Sequence, residues 1–107
     1  PGHGAAFDRV VPALERAYGR LEGFERDLSR HARHAVKVMI VFALLQKRRM
    51  PIATLPAYCA SIGILQRINR EFLGLTPEAR AAWLVEDLVR ARAGAQEDGD
   101  LVPLIAA

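Results

Sequence analysis

The feature that most constrains the fold of this 107-residue chain is an apolar stretch inside a predicted helix. The spacing predicts a helix over residues 25–47, and its centre, residues 35–45, is apolar on nearly every side. A helix that is apolar all round must be covered by other elements, so we expect it to be the central helix of a domain. The expected core residues of this helix are Val38, Ile40, Val41, Phe42 and Leu45.

The composition indicates one small soluble domain, because 51% of the residues are hydrophobic and the length suits a single core. The longest near-apolar run, residues 36–45, contains Lys37 and is too short to span a membrane, so we expect no membrane partner. The single cysteine, Cys59, excludes an internal disulfide, and its apolar neighbours favour a buried thiol. A free thiol in turn favours a reducing, cytoplasmic location.

Further helices surround the long one in the sequence. Apolar residues at steps of three and four predict a helix over residues 7–21, which we expect to break or kink at Gly19 and Gly23. Residues 50–53 form a short extended segment in this interpretation, because the residue before a proline avoids the helical region. The next two helices are predicted over residues 54–62 and 64–73.

The last helix has the clearest start, because Thr76 is a good cap and Pro77 suits the first helical position. It is predicted to reach residue 93 and to bury Ala79, Ala82, Trp83, Val85, Leu88 and Val89. A polar turn at residues 95–100 then leads to a strand candidate over residues 101–105. Pro103 inside this strand favours an edge position.

The order of these elements, helix–strand–helix–helix–helix–turn–strand, is typical of a winged-helix domain. We therefore predict a mainly α, winged-helix-like domain with one or two very short strands. The turn at residues 96–100 and a single following strand leave little chain for a full hairpin.

The segment Pro1-Gly2-His3-Gly4 is a candidate metal-binding turn, because glycines let other groups approach a histidine closely. Catalytic zinc needs about three protein ligands, and no neighbouring residue supplies the other two. The segment is therefore either an ordinary turn or part of a larger site whose other ligands lie upstream. His31 and His34 stand three apart on one helix, but the cations beside them, Arg30, Arg33 and Lys37, favour a solvated or packing role.

With the element order, Pro1-Gly2-His3-Gly4 resembles the C-terminal end of a metallo-β-lactamase superfamily hydrolase with an appended winged-helix-like domain. In that family the last metal ligand is a histidine in a Pro-Gly-His-Gly segment. Residues 29–34 resemble the His/Arg-rich opening of the family's long helix, and residues 52–55 the opening of the next helix. Residues 83–104 resemble its last helix, glycine turn and terminal strand, so the resemblance covers essentially the whole chain.

The resemblance implies that His3 is a zinc ligand in an intact parent protein, where metal-bound water attacks an ester, thioester, amide or phosphodiester centre. The family's His-x-His-x-Asp-His motif, middle histidine and bridging aspartate are absent here. Ala5 stands where the family often has proline, and the connection from His3 to His31 is longer than usual. We therefore expect residues 1–24 to be the end of the metal-ligand loop with a linking helix, and residues 25–107 to be an accessory domain. The chain alone is expected to bind no cofactor and catalyse no reaction.

Three functions stay open at this point. The first is the accessory domain, with its own catalytic domain and a second copy of the chain as candidate partners. The second is a stand-alone winged-helix or helix-turn-helix nucleic-acid binder, and the third is a helical protein–protein module. A net charge of only +3 disfavours nucleic acid. The candidate recognition helix also mixes its basic residues Arg80, Arg90 and Arg92 with the acidic Glu78, Glu86 and Asp87.

Overall fold

The computed structural model describes residues 2–104, with the side chains of residues 2–11, Tyr18 and Phe24 outside the description. The elements are α1 (Gly2–Lys47), β1 (Met50–Pro51), a 3₁₀ turn (Ile52–Thr54), α2 (Leu55–Ser61), α3 (Gly63–Ile68), a π-helical turn (Asn69–Leu73), α4 (Pro77–Arg90), β2 (Gly94–Glu97) and β3 (Asp100–Pro103). The expected mainly α fold with short strands is confirmed. None of the described helices has a stretch long and apolar enough to cross a bilayer.

The chain divides into two compact units, residues 1–31 and residues 32–107. The predicted boundary between residues 24 and 25 stays a prediction about domain organisation. The break expected near Gly19 and Gly23 is absent from the described helix α1, which is continuous from Gly2 to Lys47. Glycine lowers helix stability by about 1 kcal/mol relative to alanine and does not by itself end a helix. The backbone of Gly2–Gly4 belongs to α1, while Pro1 and the side chain of His3 lie outside the described residues.

In the second unit, α1 buries one face and exposes the opposite one. Val36, Ile40, Ala43 and Leu44 are buried and belong to one core cluster with residues of α2, α3, α4 and β3. The expectation that this stretch is covered all round is right for Ile40 and wrong for Val38, Phe42 and Leu45, which are 37%, 67% and 43% exposed. The helix carries two apolar stripes, and the described part of the unit covers only the one at residues 36, 40, 43 and 44.

Helix α4 begins where the sequence predicts, because the Thr76 hydroxyl accepts a hydrogen bond from the backbone N–H of Ala79 at 3.1 Å. Its buried face differs from the predicted one: Arg80, Ala81, Leu84, Val85 and Leu88 are buried. Ala79, Ala82 and Val89 are exposed instead. Arg80, Leu84 and Leu88 lie on one buried row of the helix. Because Arg80 is charged, the spacing of apolar residues does not identify this row as buried.

The sheet has three antiparallel strands in the order β1-β3-β2, whereas the sequence predicts one or two. β2 and β3 form a complete hairpin, for which the sequence predicts too little chain. The hairpin fits because a turn of only two residues connects the strands. Both turn residues, Asp98 and Gly99, have positive φ angles of 52° and 80°. This is the signature of a tight Asp-Gly hairpin turn, which needs no further chain.

The strand β3 is the central strand, so the predicted edge position for this segment is wrong. Pro103 is tolerated because β1 pairs only with Asp100 and Leu101 of β3. The backbone N–H of Leu104 donates to the carbonyl of Ala93. Since alternate residues of β3 face β2, the proline nitrogen points to the other side, beyond the end of β1. Arg49 forms ion pairs with one residue of each hairpin strand, Glu97 at 3.4 Å and Asp100 at 3.1 Å.

Candidate functional site

An apolar groove of about 410 Å³ lies on the second unit, between α1 and the end of α4. Its lining residues are Val38, Val41, Phe42, Leu45, Leu88, Ala91 and Ala93, with His34 and Lys37 at one side. Phe42 is the most exposed large apolar residue among those described, at 67%. A groove of this composition offers contact area to an apolar partner surface and few polar groups to orient a small molecule.

The charges beside the groove are largely neutralised within the unit. The Nζ atom of Lys37 lies 3.5 Å from a carboxylate oxygen of Asp87, and both side chains are mostly buried. Asp87 also pairs with Arg90 at 3.2 Å, and Arg90 pairs with Glu86 at 2.6 Å. The groove is therefore bordered by a compact ion-pair network and not by a free cationic surface.

The arginines of the predicted recognition helix do not form an exposed cationic surface. Arg80 is buried at 1% exposure, and its three side-chain nitrogens have no hydrogen-bond partner among the described residues. Arg90 is held by Glu86 and Asp87, while Arg92 lies beyond the end of α4. Trp83, expected in the core, is partly buried and stacks beneath the guanidinium of Arg33 at 5.1 Å.

The predicted burial of Cys59 is confirmed, since the residue is 0% exposed. Burial raises the pKa of this thiol above its ordinary value of 9.0, and the positive charge of Arg80 opposes the shift. Cys59 is therefore a neutral core thiol at physiological pH, which suits packing better than nucleophilic chemistry.

The described residues do not fit a zinc ion. No group of three or more His, Cys, Asp or Glu side chains that could hold a metal occurs among them. His31 and His34 are both exposed, and the side chain of His3 lies outside the described residues.

Comparison with protein-family models, curated protein sequences and solved structures found no match to this chain. These comparisons give no support to the expected relationship with metallo-β-lactamase superfamily hydrolases, which stays a prediction from the sequence resemblance alone. The sequence does not reveal the apolar groove, because the apolar run around Phe42 predicts core positions. A signal was present: residues 38, 42 and 45 have the same three-and-four spacing as the buried set, but on another side of the helix.

Proposed function

We propose that this chain is a protein-docking accessory domain of a zinc-dependent metallo-β-lactamase-fold hydrolase. In this proposal the groove around Phe42 packs on the catalytic domain of the same polypeptide, and the chain itself performs no chemistry. The observation that supports the proposal is the exposed apolar groove of the second unit, beside a helix α4 whose Arg90 is already paired with carboxylates.

The electrostatics favour a protein surface over a duplex. Binding to DNA depends on cations that neutralise phosphates, and each neutralised phosphate adds a slope of about −0.9 to the salt dependence. On α4, Arg80 is inaccessible and Arg90 is already paired with two carboxylates. An apolar groove bordered by internal ion pairs gains free energy from a complementary apolar surface, which excludes water from Phe42.

The resemblance supplies the identity of the proposed partner. In the family, a Pro-Gly-His-Gly segment connects the metal-binding domain to the appended helical domain. His3 would then contribute one zinc ligand in the intact protein, where the metal would supply Lewis acidity for hydrolysis. The accessory domain would shape the substrate entrance or a dimer interface of a cytoplasmic enzyme.

The test begins with the polypeptide that contains this chain. Its sequence upstream of Pro1 should contain a His-x-His-x-Asp-His motif, and its absence would remove the hydrolase from the proposal. In that polypeptide, Phe42→Asp should increase amide hydrogen exchange around the groove and separate the thermal unfolding of the two domains. The matched control is Ile64→Asp, because Ile64 is also an exposed apolar residue, at 56%, and lies on α3 away from the groove. Equal effects of the two substitutions would refute docking through the groove.

A further inference from the structure

The first unit carries a second apolar surface, a row of three leucines on α1. Leu14, Leu21 and Leu28 are 51%, 56% and 36% exposed and stand seven residues apart. Residues seven apart are two turns apart when a helix supercoils about a partner, so they lie on one stripe. The row is named the leucine seam here.

The residues between the leucines complete a heptad pattern. If the leucines occupy the a positions, the d positions fall on Val10, Ala17, Phe24 and His31, of which the first three are apolar in the sequence. Ala17 is partly exposed, so part of its surface is available to a partner. The three exposed leucines repeat every seven residues, which is the period of a coiled-coil seam. The occupant best matched to the leucine seam is therefore another helix with the same period.

The charged residues beside the leucine seam indicate which helix is the partner. Arg20 falls at a g position and Glu25 at the e position five residues later. In a parallel pair of helices in register, a g position of one helix lies opposite the following e position of the other. Arg20 of each copy would therefore form an ion pair with Glu25 of the other copy, one pair on each side of the seam. Both side chains are exposed, and neither has an ion-pair partner among the described residues. Asp27, at the next g position, is engaged by Arg30 of its own helix at 2.7 Å.

We propose that the leucine seam binds a second copy of this chain in a parallel two-stranded coiled coil. The a-position leucines stack in layers on the twofold axis, and the Arg20–Glu25 pairs between copies fix orientation and register. This dimer does not depend on the hydrolase assignment, because it uses only residues of the first unit.

The first experiment measures self-association of the full 107-residue chain by sedimentation equilibrium at micromolar concentrations. We expect a concentration-dependent dimer, which Leu21→Ala weakens on the order of a hundredfold because two buried leucines are lost per dimer. Ile64→Ala is the matched control, because Ile64 has the same 56% exposure outside the seam, and it should leave the dimer unchanged. A monomeric chain would assign the seam to a different partner, such as a catalytic domain, and overturn the proposal.

The charge pair supplies an independent test. Arg20→Glu should weaken the dimer, and Glu25→Arg in the same chain should restore it, which a loss of helix stability would not produce. Orientation is tested in a Cys59→Ser background with Leu28→Cys, near one end of the seam, which should form an intermolecular disulfide under mild oxidation only if the helices are parallel. Ser29→Cys, at a b position outside the seam, should form little. Failure of the charge rescue, or a dimer without the disulfide at position 28, would overturn the parallel arrangement.

Discussion

Because the guanidinium of Arg80 is buried, a single substitution of this residue should make the second unit more stable. Arg80 is 1% exposed, and its Nε, Nη1 and Nη2 atoms lack hydrogen-bond partners among the described residues. Arg80→Met keeps an unbranched side chain that can fill much of the same space and removes the polar atoms. We therefore expect Arg80→Met to raise the free energy of unfolding.

The magnitude follows from the cost of burying polar groups without partners. An unsatisfied buried donor costs about 1–3 kcal/mol. Replacement of buried ion pairs by apolar residues of similar volume has stabilised proteins by about 1–4 kcal/mol. Three unpartnered nitrogens put Arg80 toward the upper half of that range, so we expect a gain of about 2–4 kcal/mol. For a domain of this size this corresponds to a rise in Tm of roughly 10–20 °C.

The assay is urea unfolding followed by the fluorescence of Trp83, the single tryptophan of the chain. Arg67→Met is the control, since the Arg67 side chain is 71% exposed and makes only a surface pair with Glu71. This control should change stability by about 0.5 kcal/mol or less. A loss of stability in Arg80→Met would refute the reasoning, because it would mean that the guanidinium has a hydrogen-bonding partner in solution.

Four further outcomes follow from the described residues. Phe42→Ala should cost about 1 kcal/mol or less in the isolated chain, not the 3–5 kcal/mol of a core phenylalanine, because Phe42 is 67% exposed; a larger loss in urea unfolding would mean that the groove is covered. Arg48→Gly should stabilise by about 1 kcal/mol in the same assay, since Arg48 holds a φ of 74° at the end of α1, and no gain would argue against that conformation. The raised pKa of Cys59 favours the neutral thiol in the folded state, so its contribution to stability is present below pH 9.0 and is lost as the pH rises above it; Cys59→Ala should flatten this dependence, and an unchanged profile would contradict the cause. Binding to duplex DNA, followed by fluorescence anisotropy, should be weak at physiological salt and insensitive to Arg90→Ala, whereas nanomolar, sequence-dependent binding would support the nucleic-acid alternative.

The order of helices was predictable because it depends on local signals. Thr76 and Pro77 set the start of α4, and the capping hydrogen bond is present. The hairpin was underestimated for a local reason as well: the turn at Asp98 and Gly99 uses only two residues. A sequence reading that gives weight to Asp-Gly as a hairpin signal would have found both strands.

The buried faces were less predictable, because burial depends on which elements meet. Helix α1 has apolar residues on two sides, and nothing local says which side the second unit covers. Arg80 shows the opposite difficulty, since a charged residue occupies a buried row and its charge argues for the surface. The groove around Phe42 was therefore visible only once α4 was placed beside α1.

The central position of β3 has a consequence for synthesis of the chain. β1 and β2 pair with β3 and not with each other, so neither has its sheet partner until Asp100–Pro103 has been made. Proteins emerge from the ribosome N-terminus first, and the helices can therefore form well before the sheet does. Until then, Met50 and Pro51 have no strand with which to form backbone hydrogen bonds. A nascent chain that stalls before residue 100 would have its helices but no sheet. The surface that the sheet covers would then be accessible to chaperones and proteases.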